Sequence, residues 1–295
     1  MPSQRTFSQL VAAALCLCGS VSAETKGTFD FLTFNVAGLP AILNDNGVPG
    51  DKKTNAGTIG ALLALGGYDV VQMQEDFNYH AYIYKVDTHE FRTPTSGGVP
   101  FGDGLNTVSN HNWTAFTREK WEECNLSSAD CLTPKGISYM HVTIDGAEID
   151  FYNVHADAGR LDWDADVRDA GIDQLLRAID KYSAGRPAIL AGDFNDLWTN
   201  EKQSVGKLTA AGFTDTWVKL IKGGTYPKPG DDVPECGVPA ENANCETLDK
   251  VFYRSGDSVK LAAKSFAYKS DEFQQPNGDI LSDHNPLLVE FEWST

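Results

Sequence analysis

Seven short stretches of this 295-residue chain carry strand-like patterning, and most of them stop on a polar side chain. TFDFLTFNVAG (28–38) and GISYMHVTI (136–144) alternate apolar and polar residues. YDVVQMQE (68–75), IDFYNVHA (149–156), AILAGDF (188–194), LDKVFYR (248–254) and PLLVEFEW (286–293) are short apolar or alternating runs. Two segments between them read as helix. One is 54–65; the other is 162–182, where Ile172, Leu175, Leu176 and Ile179 form one apolar stripe. Segments 84–112 and 219–247 are rich in Gly, Pro and Asn and read as long loops. Alternating strands with few helices predict an α+β or layered α/β fold. Two mixed sheets face to face fit better than a doubly wound parallel sheet, whose strands are apolar on both faces. A hydrophobic content of 41% suffices for one core, so a single domain over 24–295 is expected.

Residues 1–23 read as a secretory signal. Arg5 supplies the positive start, 10–18 is apolar but too short to span a bilayer, and Val21-Ser22-Ala23 is a small-residue cleavage site. An exported, extracellular protein is expected. Cys124, Cys131, Cys236 and Cys245 remain after cleavage, an even number in an oxidising compartment. Four cysteines allow three pairings. Closeness in sequence favours Cys124–Cys131 and Cys236–Cys245 over the alternatives, and the absence of a CxxC spacing argues against zinc. The sequons at Asn112 and Asn125 fit a glycoprotein. A formal charge of −17 argues against a nucleic-acid binder held by a basic surface, though not against a nuclease that works through bound cations.

The strand ends gather Asn35, Glu75, Asn153, His155, Asp193, Asn195, Asp249, Asp283 and His284. Each has a bland reading. Asp and Asn form turns, Glu75 is by default a surface carboxylate, and a histidine inside an apolar strand is usually a satisfied core residue. The set is what shifts the balance, because it converges if the strand ends converge. Period-2 geometry expects Asp193 and Asn195 on one face of their strand, with Phe194 on the other. Chemistry supplies a reason for the combination. A phosphodiester repels nucleophiles; a divalent cation on a hard oxygen ligand screens it. A histidine oriented by an aspartate takes a proton from water, and a second histidine meets the developing charge.

FNVAG, QE, NVHA, GDFN, LDKVFY and SDHNP, in this order across roughly 28–293, resemble the endonuclease/exonuclease/phosphatase superfamily. The resemblance implies a four-layer α/β/β/α sandwich with the site between the sheets. It implies Glu75 as the main Mg²⁺ (or Mn²⁺/Ca²⁺) ligand, with Asn35 beside it and Asp283 close by. His284 is implied as the base, oriented by Asp249. Asp193 and Asn195 would position water and phosphate, and His155 would stabilise the transition state or act as acid. Two positions depart from the pattern: Ala156, where many members carry Leu, and Lys250, where an aromatic or Arg is frequent. Lys135-Gly136 before a strand resembles neutral sphingomyelinases and inositol phosphatases more than deoxyribonucleases, and Lys135 could then hold a substrate phosphate; its bland reading is a solvated turn lysine.

These features lean towards a secreted, metal-dependent phosphodiesterase of sphingomyelinase or phospholipase C type. The alternatives are a secreted DNase-like endonuclease, a phosphomonoesterase, and an inactive binding module. The partner is expected to be a phospholipid head group or a nucleic acid. Peripheral membrane contact would use some of Trp113, Trp121, Trp163 and Trp198. A monomer without a stable protein partner is expected.

Overall fold

The computed structural model describes residues 25–97, 102–124, 131 and 133–295. The proposed signal segment and the sequon at Asn125 lie outside the described residues. Two six-stranded mixed sheets form the body. The first has the order β11 (Lys260–Tyr268), β12 (Leu287–Ser294), β1 (Lys26–Asn35), β2 (Val70–Gln74), β4 (Asn106–Ser109), β3 (Phe91–Arg92). The second has the order β5 (Trp113–Lys120), β6 (Gly136–Ile144), β7 (Ala147–His155), β8 (Ala188–Asp193), β10 (Asp249–Arg254), β9 (Thr214–Asp215). One parallel pair sits in each sheet, β1 with β2 and β7 with β8, and the other pairings are antiparallel. Helices α1 (Lys52–Gly66) and α2 (His80–Val86) cover the first sheet. Helix α3 (Asp162–Tyr182), with the short α4 (Gly206–Ala210) and α5 (Thr216–Leu220), covers the second. The layered sandwich expected from the strand patterning is the observed fold.

Helix boundaries follow local chemistry. Asp51 caps α1 by accepting from the Thr54 N–H, and Gly67, at φ 64°, ends it in the left-handed conformation. Asp164 in the first turn of α3 accepts from the Leu161 N–H. The loop reading of 84–112 is corrected: it contains β3, β4 and the end of α2. Strands β5 and β11 also escaped the sequence pattern. Each is an edge strand, and exposed edges carry polar side chains that blur the alternation.

Period 2 decides where the site lies. On β1, Leu32 and Phe34 face the α1 layer, whereas Phe29 and Phe31 face the gap between the sheets. The gap-facing series continues as Thr33 and Asn35, both fully buried. On β7 the same series is Ile149, Phe151, Asn153, His155; on β8 it is Ile189, Ala191, Asp193; on β10 it is Val251 followed back to Asp249. One end of the gap is therefore an apolar core and the other is a buried polar cluster. The Gln74 amide crosses it, donating to Asn153 Oδ1 at 2.7 Å. Both expected disulfides are present, with Cα separations of 5.3 Å for Cys124–Cys131 and 4.9 Å for Cys236–Cys245.

Candidate functional site

Strand register brings the polar ends together. His155 on β7 and Asp249 on β10 both pair with Asp193 on β8. Gly192 makes this approach possible: its φ is 135°, and a Cβ there would lie 2.0 Å from the Val154 carbonyl oxygen. The small residues of AILAGDF thus end where the backbone must pass close to its neighbour and then present a carboxylate.

Across the gap, Asn35 donates from Nδ2 to Asp193 Oδ2 at 3.1 Å and to Glu75 Oε1 at 3.3 Å. Glu75 follows β2 with φ 55°, and Ala37 and Asn195 also have positive φ, at 49° and 50°. Such conformations are costly for non-glycine residues, and three of the five among the described residues lie at strand ends around this cluster. The turn at Glu75 brings its side chain into the gap, where strict alternation would send it towards α1.

His284 lies before β12. Its Nδ1 is 2.8 Å from Asp249 Oδ2 and its Nε2 is 3.8 Å from Asp193 Oδ2. The Ser282 hydroxyl fixes the approach, donating to the Asn35 carbonyl at 2.6 Å and accepting from the His284 N–H at 3.1 Å. Burial opposes charge on His284, but Asp249 and Asp193 outweigh it and hold the imidazole well above its ordinary pKa. Burial likewise works against the Asp193 anion, yet His284 and the neighbouring cations hold that carboxyl below its usual range. Burial raises Asp249, offset in part by His284. His155 is the opposite case. It is 1% exposed, and burial together with the Lys135 charge keeps it neutral, well below the ordinary histidine range. Neither ring nitrogen has a hydrogen-bond partner among the described residues; Nε2 points towards Asp193 Oδ2 at 3.5 Å and Glu75 Oε1 at 4.0 Å. The reading of a satisfied core histidine does not hold.

Lys135 is not a solvated turn residue. It is 8% exposed, its Nζ lies 3.4 Å from the Ala156 carbonyl oxygen, and its charge acts on Glu75, His155 and Asp193. Asp283 accepts from Asn46 Nδ2 at 3.1 Å, and its Oδ1 is buried without a partner among the described residues. The expectation for Asn195 is corrected. Strand β8 ends at Asp193, so Asn195 is not carried on a strand face. It is placed by a turn in which its N–H donates to Asp193 Oδ1 at 2.9 Å and its Nδ2 to the Ala156 carbonyl at 3.2 Å. Trp121 and Trp198 are buried, with indole N–H groups donating to the His155 carbonyl at 2.7 Å and to Asp215 at 2.8 Å; neither can touch a membrane. Trp163 is 55% exposed and Trp113 half-buried.

Two donor sets come into question for a cation. Glu75 is a hard donor whose Oε2 is buried without a partner among the described residues, so a positive ion fits there. Burial pushes its carboxyl up, offset only in part by the charges of Lys135 and His284 and by the Asn35 hydrogen bond. One ligand atom each from Asp193, Asp249 and His284 also lies within 4.8 Å of the others, but there the histidine already closes on Asp249. Asn35, as placed, turns its NH₂ to the carboxylates and its carbonyl to the Ala37 N–H at 3.1 Å. Sequence reasoning missed Lys52 and Asn46. Lys52, buried at the start of α1, donates to the Ala37 carbonyl at 2.7 Å and to Asn46 Oδ1 at 3.0 Å. A lysine in the first turn opposes the helix dipole, and that was the available signal.

Two mixed sheets whose shared gap opens on an acid, histidine and asparagine cluster define a DNase-like layered sandwich. The chain belongs to the endonuclease/exonuclease/phosphatase family: the profile of Endonuclease/Exonuclease/phosphatase family 2 matches residues 52–233. The sphingomyelinase of Mycobacterium tuberculosis is 36% identical over 293 aligned residues, covering 96% of this chain and 56% of that one. The chain thus spans about half the length of the curated relatives it matches. Among solved structures, D. rerio TDP2 complexed with single strand DNA product superposes with a TM-score of 0.67 at 17% identity, covering 90% of this chain and 98% of that one. A Staphylococcus aureus beta toxin mutant with bound magnesium ions gives a TM-score of 0.61 at 15% identity, covering 89% and 99%. At these identities the two structures establish the shared fold.

Proposed function

We propose that this chain is a secreted, divalent-metal-dependent phosphodiesterase that hydrolyses a phospholipid or sphingolipid head group by activating water. The observation that carries the reading is the Asp249–His284 pair at 2.8 Å, aimed at Asp193 and set beside the uncompensated Glu75 oxygen. Glu75 is the resident ligand of the ion in this reading, with Asp283 nearby. A divalent ion held by Glu75 would supply charge to screen the phosphate, polarise its P–O bond and offset the carboxylate field around His284. His284 Nε2 takes the proton of the attacking water, and Asp249 fixes the ring through Nδ1. Asp193 orients the water, and Asn195 donates to a phosphate oxygen at the rim. Neutral His155 and cationic Lys135 meet the charge that develops on the phosphoryl oxygens. The lipid substrate draws support from the sphingomyelinase relatives, and the acidic chain disfavours long polyanions. A sphingomyelin-like head group keeps one phosphate beside a cation and needs no basic track.

The test is a panel of sphingomyelin vesicles, phosphatidylcholine vesicles, plasmid DNA, RNA and inositol phosphates, each with Mg²⁺ and beside the His284→Ala variant. Phosphocholine release that the variant lacks is the expected result. Nicked plasmid with intact lipid would move the enzyme to nucleic acids, and turnover that survives EDTA would remove the metal from the reading.

A further inference from the structure

The Cys236–Cys245 disulfide closes a loop with a sequence separation of 9; that loop bonds Asn285, the chain neighbour of His284, and leads directly into the segment that carries Asp249. On one side is Asn285, the neighbour of His284. It is 2% exposed; its Oδ1 accepts from the Ala240 N–H at 2.9 Å and its Nδ2 donates to the Gly237 carbonyl at 3.0 Å, both inside the disulfide loop. The Ser270 hydroxyl also bonds to Asn285 Oδ1. On the other side is Glu246, which follows Cys245 directly and is 1% exposed. Its backbone pairs with the loop stem, accepting from the Cys236 N–H and donating to the Pro234 carbonyl, each at 2.8 Å. Its carboxylate accepts from Lys250 Nζ at 2.9 Å and from the Trp198 N–H. Lys250 Nζ also donates to the Thr247 carbonyl at 3.0 Å, and the Thr247 hydroxyl donates to the Asp249 carbonyl at 2.8 Å. The loop is itself tied to the body, through Trp217 Nε1 to the Ala243 carbonyl at 2.8 Å and Tyr268 to the Cys245 carbonyl at 3.2 Å.

His284 and Asp249 come from different sheets: one precedes β12 in the first, the other begins β10 in the second. Nothing in either sheet's ladder fixes the distance between them. We propose that the loop closed by Cys236–Cys245 is a clamp across the sheets that positions Asp249 against His284, with Asn285 and Glu246 as its positioning residues. Without a cross-link, closing such a loop costs conformational entropy. The disulfide removes conformations in which Gly237 and Ala240 leave Asn285, and the Glu246 to Lys250 turn then inherits the loop's position. A buried Asn with its donor and acceptor both spent on one loop's backbone is a poor choice for packing alone; it sets direction as well as distance. The lysine after Asp249 finds its reason in the same device, as the partner of Glu246.

The kinetic half of this inference rests on the phosphodiesterase reading; the geometric half does not. The variants are Asn285→Ala, Glu246→Gln and the pair Cys236→Ser with Cys245→Ser, each alone and combined with Asp249→Asn. With bis(p-nitrophenyl) phosphate and Mg²⁺, each clamp variant is expected to lower kcat about 10–100-fold, the scale of a small misplacement of reacting groups. KM should stay within about two-fold, because the clamp does not touch substrate. In the Asp249→Asn background the same changes should cost nothing further. Proton NMR of the whole protein should show a downfield His284 Nδ1–H resonance that Asp249→Asn removes and the clamp variants remove or broaden. Folded variants with wild-type kcat overturn the proposal, as does an equal loss with and without Asp249. If the wild type hydrolyses no phosphodiester, the functional reading fails and the resonance decides: unchanged in the variants, it overturns the clamp as well. Should the cysteine pair not fold, Asn285→Ala and Glu246→Gln carry the test.

Discussion

Asp76 follows Glu75 and is 2% exposed. Its Oδ2 accepts from Asn106 Nδ2 at 2.9 Å, and its Oδ1 has no partner among the described residues. Burial, only partly offset by Asn106, pushes its carboxyl from 3.8 up to about 7. The folded protein therefore keeps a proton on Asp76 over a pH range where the unfolded chain has lost it. Stability contributed by this group is fully present below the unfolded value, falls as pH rises from about 4 to about 7, and is flat beyond. The displacement corresponds to about 4 kcal/mol, which is a large part of a domain's total stability. Asp76→Asn keeps an oxygen to accept from Asn106 and cannot ionise. Urea unfolding followed by tryptophan fluorescence, in EDTA so that no ion at Glu75 contributes, compares the two proteins from about pH 4 to pH 8. The variant should be more stable than wild type at the upper end, by up to about 4 kcal/mol, with the gap closing towards the lower end. Taking the difference cancels the similar slope from Glu75, whose carboxyl is also raised by burial. Parallel stability curves for the two proteins would refute the argument, and would mean that Asp76 is compensated by something the burial reasoning omits.

Three further outcomes follow from the same geometry. Lys250→Met leaves the buried Glu246 carboxylate uncompensated and should cost about 3–5 kcal/mol in urea unfolding, while adding Glu246→Gln should recover most of it. Glu75→Gln should lower kcat on the order of 10²–10³-fold and weaken Mg²⁺ binding in calorimetry without a change in far-ultraviolet circular dichroism. Lys135→Met should lower kcat/KM on the order of 10²-fold on phosphodiesters; an unchanged value would return Lys135 to a purely structural place between β6 and the Ala156 carbonyl.

The site was legible where one strand face runs from apolar to polar. Phe29, Phe31, Thr33 and Asn35 can be read straight off β1, as can Phe151, Asn153 and His155 off β7, because alternation fixes which side chains share a face. What alternation cannot reach are residues placed by turns. Asn195, expected on a strand face, sits at φ 50°, Glu75 reaches the gap through a backbone at φ 55°, Lys52 reaches back to the Ala37 carbonyl 15 residues away, and Asn285 bonds a loop 45 residues before it. Edge strands β5 and β11 were missed because their outer faces meet water and obey no pattern.

The polar half of the gap carries a further argument for function. Both amide atoms of Gln72, the Thr107 hydroxyl and the Ser138 hydroxyl are buried without partners among the described residues, alongside Glu75 Oε2, Asp249 Oδ1 and both nitrogens of His155. Each such group costs of order 1–3 kcal/mol when left unsatisfied. A chain selected for stability alone would extend the Phe29, Phe31 and Phe151 packing along the same faces, at a gain rather than a loss. The departure begins at Thr33 and Gln72, which pair on β1 and β2, at Asn153 on β7 and, one gap-facing position further along, at Asp193 on β8, and it lies beside strained backbone at Ala37, Glu75 and Asn195. Local rules broken together at one end of the gap mark a place where binding or chemistry has outweighed packing. The end of β8 belongs to that end of the gap, where Asp193 lies between His155 and His284, and in the proposed function this is where the phosphate would be met.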